Sequence, residues 1–237
     1  MRTRGILFDL DETLLRVDMD GFMKAYFEML APRFEREFDP KTFTRELVLS
    51  LEVMINNLDK TMTNMDVFHA DFFPKLGLPE DEWVTRIQAF YSDDFPLLRR
   101  FSSCDPVARR VVETAVRKGY TAVLATNPVY PRTAILERLS WAGLEPDLFK
   151  FITTYETMHF CKPHMDYYLE ICSIVGLQPA ECVMVGNDVE EDLVAGGLGM
   201  KTFLVKDAVR NRDNRAYSAD YEGTLADLLR MIQEGAI

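Results

Sequence analysis

The chain opens MRTRGILFDLDETLL. Ile6, Leu7 and Phe8 run straight into Asp9, and Asp11 and Thr13 follow at every second position. Two carboxylates therefore stand at the end of an apolar run that reads as a buried strand. An unpaired buried carboxylate is costly, and neighbouring like charges raise each other's pKa. A divalent cation would offset that cost, and so would a reaction that needs both acids.

The same question can be put to every strand end, because ligands of an open α/β sheet bind outside the carboxyl ends of its strands. A second apolar strand, residues 121–126, ends at Thr126 and Asn127. Lys162-Pro163 follows a third, residues 151–156, and stands at the mouth of the next helix. A fourth, residues 182–186, ends in Gly186-Asn187-Asp188, with Asp192 four residues beyond Asp188. Brought to one rim, these residues supply several carboxylates, one lysine, one hydroxyl and some amide donors. That set suits a divalent-metal site handling a phosphoryl group. Such chemistry needs a nucleophile, and a carboxylate can form an aspartyl-phosphate. It needs a proton donor for the leaving oxygen and a base for the attacking water. It also needs positive charge and oriented donors around the phosphoryl oxygens.

The elements that must position these residues show two textures. From residue 108 onward, strand-like and helix-like segments alternate. Asp105-Pro106 is an N-cap followed by an N1 proline, Val111, Val112, Ala115 and Val116 mark a helical apolar face, and Gly119 closes that helix. Further helices are expected over residues 131–141, 165–175, 190–198 and 224–233, and a further strand over 202–205. This alternation predicts a Rossmann-like α/β core, a parallel sheet with helices on both faces. Between residues 18 and 100 the pattern changes. Phe43, Leu47, Leu51, Met54, Ile55 and Leu58 fall at helical spacing, as do Trp83, Val84, Ile87, Phe90 and Tyr91. This stretch reads as a helical insertion whose Met and Phe stripes form core. The expected division is an α/β core domain of residues 1–16 and 103–237 and a helical domain of residues 17–102. Hinges are expected near residues 15–20 and 95–103.

Composition narrows the class. The 237 residues are 48% hydrophobic and 27% charged, ordinary for a globular protein. A net charge of −11 disfavours nucleic acid or an anionic membrane as partner. No apolar run approaches the ~20 residues that span a bilayer, and no signal peptide is visible, so a cytoplasmic location is expected. The four cysteines form no C-x-x-C pair and read as reduced, mostly buried thiols. Cys161 beside Lys162 reads as a buried filler rather than a low-pKa thiol. His69, His159 and His164 have no metal-ligand spacing.

At this point the sequence resembles a family. DLDET (9–13) looks like the first motif of the haloacid dehalogenase superfamily of phosphohydrolases. Thr126 resembles its second motif, Lys162 with Pro163 its third, and GNDVEED (186–192) its acidic fourth. The four occur in the expected order, and the helical insertion resembles a cap inserted after the first motif, as in phosphoglycolate phosphatase-like members. The resemblance implies Asp9 as nucleophile and metal ligand. It implies Asp11 as general acid and base, offering its main-chain carbonyl to Mg²⁺. Thr126 would hold the phosphate with the N–H of Asn127, and Lys162 would neutralise the phosphoryl charge and steady Asp9. Asp188 would complete the metal site and Asp192 would support it. The fourth motif departs from the pattern, since the residue after the glycine is Asn187. Asp188 is the preferred ligand, because a hard cation prefers a carboxylate, and Asn187 through its amide oxygen is the alternative. Asp11 favours phosphate-ester chemistry over dehalogenation, because the dehalogenases lack an acid there.

Singly, each motif has an ordinary explanation in turns and helix N-caps. Their joint order at successive strand ends is what points to a site. The reading is a Mg²⁺-dependent phosphatase, a monomer or homodimer, acting on a small phosphorylated metabolite under a closing helical cap. Phe22, Tyr26, Met54 and Asn57 are candidates for shaping its pocket. A phosphotransferase or mutase on the same scaffold, and a non-catalytic phospho-ligand-binding or signalling protein, are the alternatives.

Overall fold

The structure, a computed structural model, describes residues 2–77 and 79–237. In chain order its elements are β1 (Gly5–Phe8), β2 (Leu15–Val17), α1 (Met19–Leu30), α2 (Pro40–Ile55), α3 (Asn64–Leu76), α4 (Glu80–Ala89), β3 (Ser102–Cys104), α5 (Pro106–Arg117), β4 (Thr121–Leu124), α6 (Arg132–Trp141), β5 (Phe151–Ile152), α7 (Met165–Val175), β6 (Cys182–Gly186), β7 (Lys201–Val205), β8 (Tyr221–Gly223) and α8 (Leu225–Glu234).

Six strands form one parallel sheet in the order β5-β4-β1-β6-β7-β8. The short apolar runs GILF, TAVL, CVMVG and KTFLV are buried almost throughout, as strands covered on both faces must be. Alternate residues of β1 enter different cores. Ile6 and Phe8 pack with Val111, Ala115, Leu139 and Leu228 of α5, α6 and α8. Leu7 packs on the other face with Tyr167, Tyr168 and Ile171 of α7. From β1 the chain moves to β4 and β5, then returns to place β6 on the other side of β1. That reversal opens a crevice at the carboxyl ends of β1 and β6, where Asp9 and Asn187 stand.

Helices α1 to α4 lie between β2 and β3, two short strands that pair antiparallel where hinges were expected. Sequence starts these helices where expected of caps: Asp18 accepts from the Gly21 N–H, Asp39 precedes Pro40, and Thr63 and Asp66 cap each other reciprocally. Their apolar stripes close on an aromatic cluster. Phe34 stacks on Phe43 and Trp83 at 4.7 and 4.8 Å, and Trp83 meets Phe72 at 5.0 Å. Phe22 and Phe95 contact Trp141 of α6 and tie the insertion to the α/β core. Leu58 departs from its expected stripe: it lies beyond the end of α2 and is exposed.

Two other expectations change. The strand expected over residues 151–156 stops at Ile152, because its partner β4 ends at Leu124 and offers no further ladder. The helix expected over residues 190–198 is a turn followed by a 3₁₀ segment, Leu193–Leu198. Gly196 and Gly197 disfavour an α-helix there, and the carboxylates of Asp188 and Asp192 bond locally instead.

Candidate active site

The site is built on a buried ammonium. Lys162 is 1% exposed, and its Nζ donates to Asp9 Oδ1 at 2.9 Å and to Asp192 Oδ1 at 2.7 Å. Asp9 is the first residue after β1, and its own N–H donates to the Val185 carbonyl of β6, which fixes where its side chain starts. Its other oxygen, Oδ2, accepts from the Thr13 hydroxyl at 3.2 Å, which also bridges to Asn187 Oδ1 at 3.2 Å. The Lys162 N–H donates to Asn127 Oδ1, so the strand end carrying Thr126 and Asn127 holds the lysine in place. Thr126 is buried, and its carbonyl accepts from the hydroxyls of Thr153 and Tyr167.

Asp192 is held from two sides. Besides Lys162, it accepts the Asp188 N–H at 3.0 Å. It folds so closely over Gly186 that a Cβ at that position would overlap its carboxylate. Two carboxylates around one ammonium leave a net negative charge in a dry place. Burial accordingly pushes Asp9 up to about 7, against the pull of Lys162.

The structure divides the fourth motif. Asn187 accepts the Thr13 hydroxyl at its amide oxygen and donates from Nδ2 to the Ala208 carbonyl. The Asp188 carboxylate accepts the N–H groups of Glu190 and Glu191 and pairs with Arg212 at 3.0 Å. Burial, reinforced by Glu191, raises it to about 6. Among the described residues, no three His, Cys, Asp or Glu side chains form a ready metal cluster. Asp9 and Asn187 are thus brought together, and Asp188 is engaged by cations and main-chain donors.

These groups line a cavity of about 650 Å³ between the sheet rim and the inserted helices. Asp9, Asp11, Thr126, Asn127, Asn187, Asp188 and Asp192 reach it from the rim, and Tyr26, Leu47 and Tyr91 from the helices. Of the four residues proposed from sequence to shape the pocket, Tyr26 lines it. Phe22 and Met54 are packed into core, and Asn57 bonds locally to Asp59. His69 lines the cavity, whereas His159 pairs with Glu170 and His164 contacts the Ile55 carbonyl. Cys161 is buried and its thiol is pushed up by desolvation, which supports the filler reading.

Sequence reasoning missed Arg138. It lies on α6 and forms an ion pair with Asp11 while being 1% exposed. The available signal was its place among Ala134, Ile135, Leu139 and Trp141, on the buried face of its helix. Thr153, Tyr167 and Arg212 gave no such signal, because their roles depend on contacts distant in the chain.

Among the described residues no helix is long and apolar enough to cross a membrane. Comparison with known proteins places the chain among related sequences and folds. A model of the haloacid dehalogenase-like hydrolases matches residues 3–197. The pyrophosphatase PpaX of Anoxybacillus flavithermus is 24% identical over 237 residues, covering 98% of each chain. A glyceraldehyde 3-phosphate phosphatase of Methanocaldococcus jannaschii is 24% identical over 238 residues, covering 97% of each. A phosphatase structure of this superfamily from Thermococcus onnurineus superposes with a TM-score of 0.61 at 20% identity, covering 97% of this chain and 98% of that one.

The geometry makes two outcomes measurable. Gly186→Ala forces the Asp192 carboxylate off Lys162, and stability should fall by about 3 kcal/mol in a urea melt; a change within experimental error contradicts the close approach. The second outcome concerns pH. The Asp9 carboxyl titrates near 7 when folded and near its ordinary 3.8 when unfolded. Its charge therefore destabilises the fold fully above about pH 7, and the effect is relieved as pH falls towards 4. Asp9→Asn removes that charge at every pH. In EDTA the melting temperature of the variant relative to wild type should rise between about pH 5 and pH 8. A gap that does not change with pH contradicts the burial account.

Proposed function

The chain belongs to the haloacid dehalogenase-like hydrolases, and from that premise we propose a Mg²⁺-dependent phosphatase that hydrolyses a small phosphorylated metabolite in the cytoplasm. One observation carries the reading: a carboxylate at the end of β1 shares a buried lysine with a second carboxylate, at the floor of a cavity that also holds Asp11. The names of the similar proteins, a pyrophosphatase and a glyceraldehyde 3-phosphate phosphatase, favour phosphate substrates. The helical segment of residues 17–102 serves as the cap and the β2–β3 pair as its connection to the core domain of residues 1–16 and 103–237.

In this reading the Asp9 carboxylate attacks phosphorus. Oδ1 is tied to Lys162, whose ammonium keeps Asp9 oriented and offsets the charge of the incoming phosphoryl group. Asp11 gives a proton to the leaving oxygen and then takes one from the attacking water. Its position two residues beyond Asp9 in the loop after β1 puts both acids on one side of the cavity. Thr126 and Asn127, at the end of β4, supply donors for the transferring oxygens. The cap excludes bulk water and admits small substrates.

A hard divalent cation fits the oxygens that face one another. The Asp9 carboxylate and the Asn187 amide oxygen meet over a single hydroxyl, that of Thr13, and burial leaves Asp9 with uncompensated charge. Magnesium is commonly held by one or two carboxylates plus substrate oxygens and water. The contacts favour Asp9 and Asn187 as its side-chain ligands, with the Asp11 carbonyl added by family resemblance. Asp188 then acts from behind, ordering the turn. Bound there, the cation would screen the phosphoryl charge during attack.

Phosphate release from para-nitrophenyl phosphate and a panel of small esters tests the reading. Release should require Mg²⁺, stop in EDTA, and be lost in Asp9→Asn. Asp11→Asn should slow turnover by about 10²–10⁴-fold, the usual span of general acid–base catalysis. Metal-independent release, or release that survives Asp9→Asn, overturns it.

A further inference from the structure

Arg138 is a buried charged group of the cavity that this mechanism does not use. It is 1% exposed, yet its guanidinium borders the cavity. The ring of Tyr130 lies 5.0 Å from it and that of Phe22, from inserted helix α1, 5.5 Å. Two aromatic rings thus pack against the cation, and neither offers a carboxylate or carbonyl oxygen to its N–H groups. Its charged contact is Asp11, and the two are not aligned as a hydrogen bond: Arg138 Nε and Nη2 and Asp11 Oδ1 are all buried without a hydrogen-bond partner. Burial lowers the guanidinium to about 10, which leaves it charged at neutral pH.

A buried cation with unmatched donors is a poor structural element, since an apolar side chain of similar volume would fill the same place on α6 without that penalty. It is a good receptor, because the planar fork matches a carboxylate or phosphate through two parallel hydrogen bonds. Its place says which part of a substrate it meets. Lys162, on Asp9 Oδ1, already serves the transferring phosphoryl group. Arg138 pairs directly with Asp11, while Asp9 acts on it through its charge, and Phe22 flanks it from the inserted helices, on the side where the leaving group's body must lie.

We propose that Arg138 is the receptor for a second anionic group, a carboxylate or phosphate, on the part of the substrate that is not transferred. Asp11 is the partner that Arg138 holds until such a substrate arrives. The exchange satisfies the open donors and releases Asp11 to serve the leaving oxygen. The assignment rests on the phosphatase reading of the site, and it narrows the substrate class to phosphate esters or anhydrides with a second negative group.

The test is calorimetric binding of three phosphonates that cannot be hydrolysed, in constant excess Mg²⁺. Methylphosphonate has no second anion, phosphonoacetate adds a carboxylate, and methylenediphosphonate adds a phosphate-like group. At least one of the last two should bind wild type roughly tenfold or more tighter than methylphosphonate, and the one that gains more identifies the second group. Arg138→Met should bring the ratio close to one. If that variant does not fold, Arg138→Lys, which keeps the charge and loses the fork, should reduce the ratio several-fold. Equal affinities in wild type, no binding of any of the three, or a preference unchanged in the variant overturns the proposal. Turnover of para-nitrophenyl phosphate is a separate readout. Turnover without the binding preference removes Arg138 alone, and the preference without any turnover removes the phosphatase reading.

Discussion

The rest of the site depends on one ammonium shared by two carboxylates. Lys162 is as deeply buried as any core residue, and it is stable there because Asp9 and Asp192 both reach it. An ion pair taken out of water gains little net stability, but losing one member leaves an uncompensated charge. That condition reaches into the backbone. Gly186 has to lack a Cβ so that Asp192 can fold over it, and Asn127 has to accept the Lys162 N–H. Three strand ends, β1, β4 and β6, are thereby locked to one point.

The lock leaves an imbalance with a chemical use. One positive charge faces two negative ones in a dry place, so Asp9 is strained towards its protonated form. Anything bringing positive charge to its second oxygen, which accepts from the Thr13 hydroxyl, is favoured. The neighbouring Asn187 oxygen accepts from the same Thr13 hydroxyl and adds no further charge. Asp188, one residue on, pairs with Arg212 and accepts the N–H groups of the turn it caps. A carboxylate is the better ligand by type, and this one also orders the turn.

Much of this was legible in the chain. The core strands announced themselves by short continuous apolar runs, and helix α5 by its Asp105-Pro106 cap. Asp9, Asp11, Thr126, Lys162 and the acidic turn were visible because each lies between a strand and the helix that follows it, where sheet topology converts order in sequence into proximity. What stayed hidden depended on orientation or distance. The choice between Asn187 and Asp188 turns on which side chain faces Thr13, and adjacent residues in a turn point different ways. Arg138 joins Asp11 across 127 positions of chain, and Phe22 packs against Trp141 across a similar gap. Strand β5 was overestimated because its length is limited by the end of its neighbour, β4, and not by its own residues.

The central claim is that Asp9 is a nucleophile held ready by Lys162, and the direct measurement is the covalent state of Asp9 during turnover. Wild-type protein would be mixed with para-nitrophenyl phosphate and Mg²⁺, quenched in acid within the first turnover, digested and weighed. The account predicts a phosphoryl group on the peptide containing Asp9, absent in EDTA and absent from Asp9→Asn. Rapid product formation with an unmodified Asp9 peptide at every quench time would contradict it.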